Sequence, residues 1–197
     1  ANADLNGKPI SENLTDLVAK IGENMTLRRA ETLEVSEGAV VGYVHGALAD
    51  GLGKIGVLVG LESDASDEVL QGLGKQLAMH VAAANPQFLD SNSVDPEVAE
   101  REKNVLIEQA KAEGKPQEIA EKMVEGRMRK YFETNVLLEQ VFMVDDTKRK
   151  VEAVVKDAAK AMGTEIELKG FVQFRLGEGV EKKSEDFAAE VAKAAQG

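Results

Sequence analysis

The 197-residue chain has no cysteine and no tryptophan, only two histidines, and aromatic residues at 4 % of the whole. Without cysteine there is no thiol chemistry and no thiolate metal site, and the redox compartment stays undecided. So few aromatics provide no stacking platform for single-stranded nucleic acid. Basic charge is also short: 24 Lys and Arg stand against 35 Asp and Glu, a formal net charge of -11. Nucleic-acid binders release counterions through a basic footprint, so no direct nucleic-acid partner is expected. An anionic membrane surface is disfavoured for the same reason. No apolar run approaches the ~20 residues of a membrane helix. The start, Ala1-Asn2-Ala3-Asp4, has neither the basic nor the apolar region of a secretory signal, and a cytoplasmic location is expected. It also lacks methionine, which points to a processed or truncated start.

What is present is ordinary material for a folded chain: 43 % hydrophobic and 30 % charged residues. A chain of this length can bury roughly 70 % of its extended surface. Residues 1–10 read as loose. Leu14, Leu17, Val18 and Ile21 have helical spacing and predict a helix over 11–21, ended by Gly22. Thr26 to Val35 alternates unevenly and is expected to be a strand. Val40–Leu48 and Lys54–Leu61 form a β-hairpin across Ala49-Asp50-Gly51-Leu52-Gly53. A helix over 67–84 follows, with Leu70, Leu73, Leu77 and Val81 as its buried stripe and Asn85-Pro86 as its stop. Asp95 caps the next helix with Pro96 in its first position. Residues 96–132 read as a helical hairpin broken at Gly114-Lys115-Pro116, with Ile119, Ala120, Met123, Val124 and Met128 on one face of its second half. A helix over 147–162, a strand over 166–176 and a final amphipathic helix over 184–195 complete the order.

The expected fold class is α+β: a small antiparallel sheet packed with helices, an inserted helical-hairpin or coiled-coil arm, and a C-terminal helical module. The domains divide as 1–37, a remnant of an N-terminal core subdomain; 38–95 with 133–178, a C-terminal core subdomain; 96–132, the arm; and 179–197, the C-terminal module.

Chemistry-bearing motifs are few. Gly51-Leu52-Gly53-Lys54-Ile55-Gly56 matches G-x-G-x-x-G, but the glycines run into the strand-like Val57-Leu58-Val59 rather than opening a helix. They read as a hairpin turn, not a dinucleotide site. No P-loop, G-x-S-x-G or H-E-x-x-H pattern is present. His80 lies among Leu77 and Val81 and reads as a core or boundary residue. His45, at a strand end before Gly46, is either a surface residue or a functional one. Asp145-Asp146 reads as a solvated loop with a helix cap rather than a Mg²⁺ site. No catalytic residues, cofactor or metal are expected.

Several blocks, in order, resemble bacterial elongation factor Ts. These are Val18-Ala19-Lys20-Ile21-Gly22-Glu23-Asn24 with Arg28-Arg29, Tyr43-Val44-His45-Gly46 with Ile55-Gly56-Val57-Leu58-Val59, and Leu77-Ala78-Met79-His80-Val81-Ala82-Ala83 with Pro86. Gly114 to Arg127 resembles the family's arm. Gly170-Phe171, Arg175, Gly177-Glu178-Gly179 and Glu185 to Val191 resemble its final strand and C-terminal module. The resemblance implies a guanine-nucleotide exchange factor that binds GDP-bound elongation factor Tu and loosens its GDP, a coupling between two ligands of one protein. It implies partner contacts at His45, Gly46, Met143, Val144, Asp186 and Phe187. The family's N-terminal module and its Thr-Asp-Phe-Val stretch have no counterpart here, and Gln-Pro-Phe-Val appears as Gln140-Val141-Phe142-Met143. Weakened exchange is therefore expected. The alternative is a docking or assembly fragment that binds the partner, or forms a homodimer through the hairpin, without exchange activity.

Overall fold

A computed structural model describes residues 4–114 and 116–179. The chain divides into two units, Ala1–Leu33 and Glu34–Gly197. The first unit opens with two short antiparallel strands, β1 (Asp4–Leu5) and β2 (Lys8–Pro9). Asn6 and Gly7 join them at φ of 56° and 77°. Two left-handed residues in a two-residue turn match the right-handed twist of a hairpin, and Asn-Gly suits that geometry best. The expectation of a loose start is thereby corrected for residues 4–10. Helix α1 (Ile10–Ile21) follows, closed by Gly22 at φ 79°, whose N–H returns to the Val18 carbonyl. The Asn13 amide donates to the carbonyls of Leu5 (3.1 Å) and Pro9 (3.2 Å), tying helix to hairpin.

The strand expected over Thr26–Val35 does not form; residues 24–35 carry no regular element. β-branched and apolar residues favour extended backbone, but a strand exists only where a neighbour supplies a ladder.

The second unit is built on a three-stranded antiparallel sheet of β3 (Gly38–His45), β4 (Ile55–Glu62) and β5 (Glu167–Arg175), with β4 in the middle. Alternation sends Ala39 and Val41 of β3, and Val57, Val59 and Leu61 of β4, to one buried face. Helix α2 (Asp67–Ala84) lies across β3 and β4 and supplies Leu70, Leu73, Leu77, Ala78 and Val81 to the same core. It approaches so closely that a Cβ on Gly74 would stand 2.4 Å from Val41 Cγ2. Asp67 and Glu68 favour its positive N-terminal end, and Asn85 ends it at φ 51°.

Asp95 caps α3 (Pro96–Ala112) by accepting from the Glu97 N–H at 2.8 Å. Helix α4 (Gln117–Asn135) returns alongside it. Ala110, Ala120 and Val124 make a small core of their own, with Leu106, Ile107 and Met128 packed around it. Arg127 and Glu113 pair across the hairpin at 2.8 Å. A 3-10 turn (Leu137–Glu139) leads to α5 (Val151–Met162), which places Val151, Val154 and Val155 in the main core. α5 begins at Val151 rather than Thr147 because Thr147 and Arg149 are committed to Asp145, and Lys148 sits at φ 56°. The architecture is α+β, with the sheet covered by helices on one face. The helix expected over 184–195 lies outside the described residues.

Candidate partner-binding surface

The strand register assembles one end of the sheet. His45 pairs with Ile55, and Ile55 pairs with Arg175 on the other side. The Arg175 guanidinium donates to the Ala82 carbonyl (2.7 Å) and to Asn85 Oδ1 (3.2 Å), so the C-terminal end of α2 reaches the same end. His80, one turn earlier in α2, accepts the Met143 N–H on Nδ1 at 3.2 Å. Residue 45 thus lies at the end of the sheet that Arg175 joins to α2, and residue 143 is tied to α2 through His80.

At the β3 corner the His45 ring is exposed and its Nδ1 hydrogen-bonds the Tyr43 hydroxyl at 3.1 Å. Gly46 leaves the strand at φ 64°, a left-handed conformation that glycine adopts without strain. The Lys54 N–H closes the loop on the His45 carbonyl. Gly53 is required here too, since a Cβ on it would lie 2.8 Å from that carbonyl oxygen. Between them, Leu48 and Leu52 stand largely in solvent, as does Leu176, whose N–H bonds the Lys54 carbonyl. The Gly-rich segment is a turn, consistent with its reading as such.

The second element is the loop over 141–150. Phe142 is buried, whereas its neighbours Val141 and Met143 are exposed, and Val144 is marginally so. The loop is closed by the Phe142 N–H on the Arg149 carbonyl (2.8 Å) and by Arg149 bridging Asp145 (2.9 Å) and Asp157 (2.7 Å). Hydrogen bonds from the Thr147 hydroxyl and N–H, and then Arg149, hold the Asp145 carboxyl below its ordinary range. Asp145 is therefore a loop staple. Among the described residues, no group of three or more His, Cys, Asp or Glu side chains converges as a metal site. None of the described helices is long and apolar enough to cross a membrane.

The sequence read His80 as a core or boundary residue, and it is fully buried. Its polar partners were not legible: Gln140 and Met143 lie 60 and 63 positions away. The available signal was a histidine inside an apolar stripe, which must find hydrogen bonds once buried. The exposed leucines were also missed, although leucines within a Gly-rich turn have no core to enter. Asp186 and Phe187 lie outside the described residues.

A family model described as Elongation factor TS matches residues 1–178. The chain belongs to the elongation factor Ts family. It is 58 % identical over 186 residues to Elongation factor Ts of Rhodospirillum centenum, covering 94 % of this chain and 60 % of that protein. It is 57 % identical over 191 residues to Elongation factor Ts of Magnetococcus marinus, covering 97 % and 61 %. For Elongation factor Ts of Sinorhizobium medicae the identity is 54 % over 191 residues, covering 97 % and 62 %. The chain therefore spans about three-fifths of the length of these curated relatives. The elongation factor Ts match runs through both units and ends at the turn after β5.

Proposed function

We propose that this chain acts in translation as a guanine-nucleotide exchange factor, or its partner-binding portion, engaging GDP-bound elongation factor Tu in the cytoplasm and promoting GDP release. The observation that carries this reading is the family match over residues 1–178. The chain is not itself a catalyst of bond making; it changes the affinity of another protein for a nucleotide. Such coupling is reciprocal: if the chain lowers GDP affinity, GDP lowers affinity for the chain by the same factor.

His45 and Gly46 at the β3 corner, and Met143 with Val144 on the 141–150 loop, are the contact residues, together with Asp186 and Phe187 of the C-terminal module. In this reading the chain divides into core subdomains at 1–37 and at 38–95 with 133–178, the arm at 96–132 and the C-terminal module at 179–197. Exposed apolar side chains beside a histidine support a contact surface, because apolar area left in water is recovered when a partner covers it.

Titrating the chain into elongation factor Tu loaded with a fluorescent GDP analogue tests the reading. Faster release is expected; no association at high concentration would remove it. In the same assay His45→Ala is expected to slow release about tenfold, or ~1.4 kcal/mol, with an unchanged circular dichroism spectrum. Equal rates would leave His45 as a surface residue.

A second reading, self-association or docking through the hairpin without exchange, is favoured by one feature. A groove of about 800 Å³ runs beside Ile107, Val124, Met128 and Phe132. Deleting residues 96–132 and sizing the product decides it: an unchanged oligomeric state excludes the arm from assembly.

A further inference from the structure

His80 has no accessible surface, and both ring nitrogens are occupied. Nδ1 accepts the Met143 N–H at 3.2 Å, so the ring proton resides on Nε2 and is donated to Gln140 Oε1 at 2.9 Å. The Gln140 amide nitrogen in turn donates to the Thr134 carbonyl at 2.7 Å. Each donor has an acceptor, and no buried side-chain polar atom among the described residues is left unpaired. The arrangement fits only the neutral ring. A second proton would enter at Nδ1, where it would face the Met143 N–H, donor against donor.

We propose that His80 is a positioning residue. When neutral, it anchors the Met143 amide and so fixes the exposed Met143–Val144 pair; when protonated, it releases that pair. As a device acting on partner contact, this rests on the exchange-factor reading above.

Phe142 stacks obliquely on the ring, with centroids 5.6 Å apart, and pulls its own stretch of chain inward while Met143 turns out. The Met143 N–H bond is the polar tie between α2 and the exposed pair itself. The side chains facing the ring from the 140–143 stretch are Gln140 and Phe142, both uncharged. No charged group of α2, α5, the sheet or the 3-10 turn contributes to the ring's titration; burial lowers it first and the Gln140 bond raises it second. The ring's midpoint thus lies below the ordinary histidine value of 6.5. A histidine depressed in the folded state binds fewer protons there than when unfolded. Its stabilising contribution is complete above 6.5 and is lost as pH falls through the folded value.

The test is an NMR pH titration of the full chain between pH 8 and 5, reading the His80 ring and the Met143 amide. The expected result is one shared midpoint below that of a free histidine. The Met143 protection factor is expected to fall at least tenfold across it, while that of Val59 holds. Two variants separate the nitrogens. His80→Asn keeps an acceptor where Nδ1 stood and cannot protonate, so Met143 stays protected at both ends. His80→Gln keeps a donor toward Gln140 and loses that acceptor, so Met143 is unprotected throughout. A Met143 amide indifferent to the His80 titration, or equally pH-sensitive in His80→Asn, overturns the proposal. Should a variant fail to fold, the titration of the parent chain decides alone. Affinity for GDP-bound elongation factor Tu is then compared at pH 7.5 and 5.5. A tenfold greater loss for the parent than for His80→Asn supports the partner role, and equal losses overturn it. Absence of binding by both at either pH refutes the exchange-factor reading, while the Met143 result stands independently.

Discussion

Two glycines two positions apart in α2 show how one missing methyl group can have opposite values. Gly72 faces open space, whereas a Cβ on Gly74 would meet Val41 Cγ2 at 2.4 Å and Val41 Cβ at 2.8 Å. Alanine at 72 reduces the freedom of the unfolded chain without contact, and Gly72→Ala is expected to stabilise by about 0.5–1 kcal/mol. Gly74→Ala drives a methyl into a β-branched residue of the packed sheet and is expected to cost about 1–3 kcal/mol. Urea midpoints of the two variants check the signs, and a shared direction would contradict the packing described. His80 adds a pH term at this same scale. Because its folded form resists protonation, the thermal midpoint of the parent is expected to fall more between pH 7.5 and 5.5 than that of His80→Asn. Equal falls would assign the acid sensitivity elsewhere.

Among the elements, those with a repeating apolar pattern and a local stop were legible. α2 runs over the residues its leucine stripe and Asn85-Pro86 delimit, and α3 starts at the Asp95-Pro96 cap. Where geometry depends on distant partners, local pattern misled. Thr26–Val35 has strand composition but no ladder, while Asn6-Gly7 makes a hairpin from strands too short to show alternation. The start of α5 was displaced by side chains that cap a loop instead of a helix, Asp145 with Thr147 and Arg149. Of the proposed contact residues, His45-Gly46 could be placed at a strand corner from sequence, but the exposure of Met143 follows from Phe142 turning inward against His80. The helical hairpin makes its own prediction. Its core of Ala110, Ala120 and Val124 is small and separate from the main cluster. Its mid-helix amides are expected to exchange through openings of lower free energy than those of α2 or β4. Equal protection would mean that hairpin and sheet open as one.

At the scale of the whole molecule, two units have to be considered separately. Arg28 and Arg29 lie exposed within a stretch of no regular structure, and the main core is drawn entirely from the unit beginning at Glu34. Brief trypsin treatment is expected to cut after Arg28 or Arg29 and leave that unit with its cooperative unfolding transition intact; loss of the transition on cleavage would show that the first unit is needed for it. The sheet imposes an order in time as well as in space. Arg175, on β5, completes the end of α2 at Ala82, a residue 93 positions earlier. At roughly 5–20 residues per second of synthesis, α2 emerges several seconds before the arginine that finishes it. Throughout that interval β4 has a partner on one side only, leaving its open edge available to other nascent chains. The finished fold thus passes through an open-edged birth whose length is set by the chain between α2 and Arg175, and β5 is the suture that closes it.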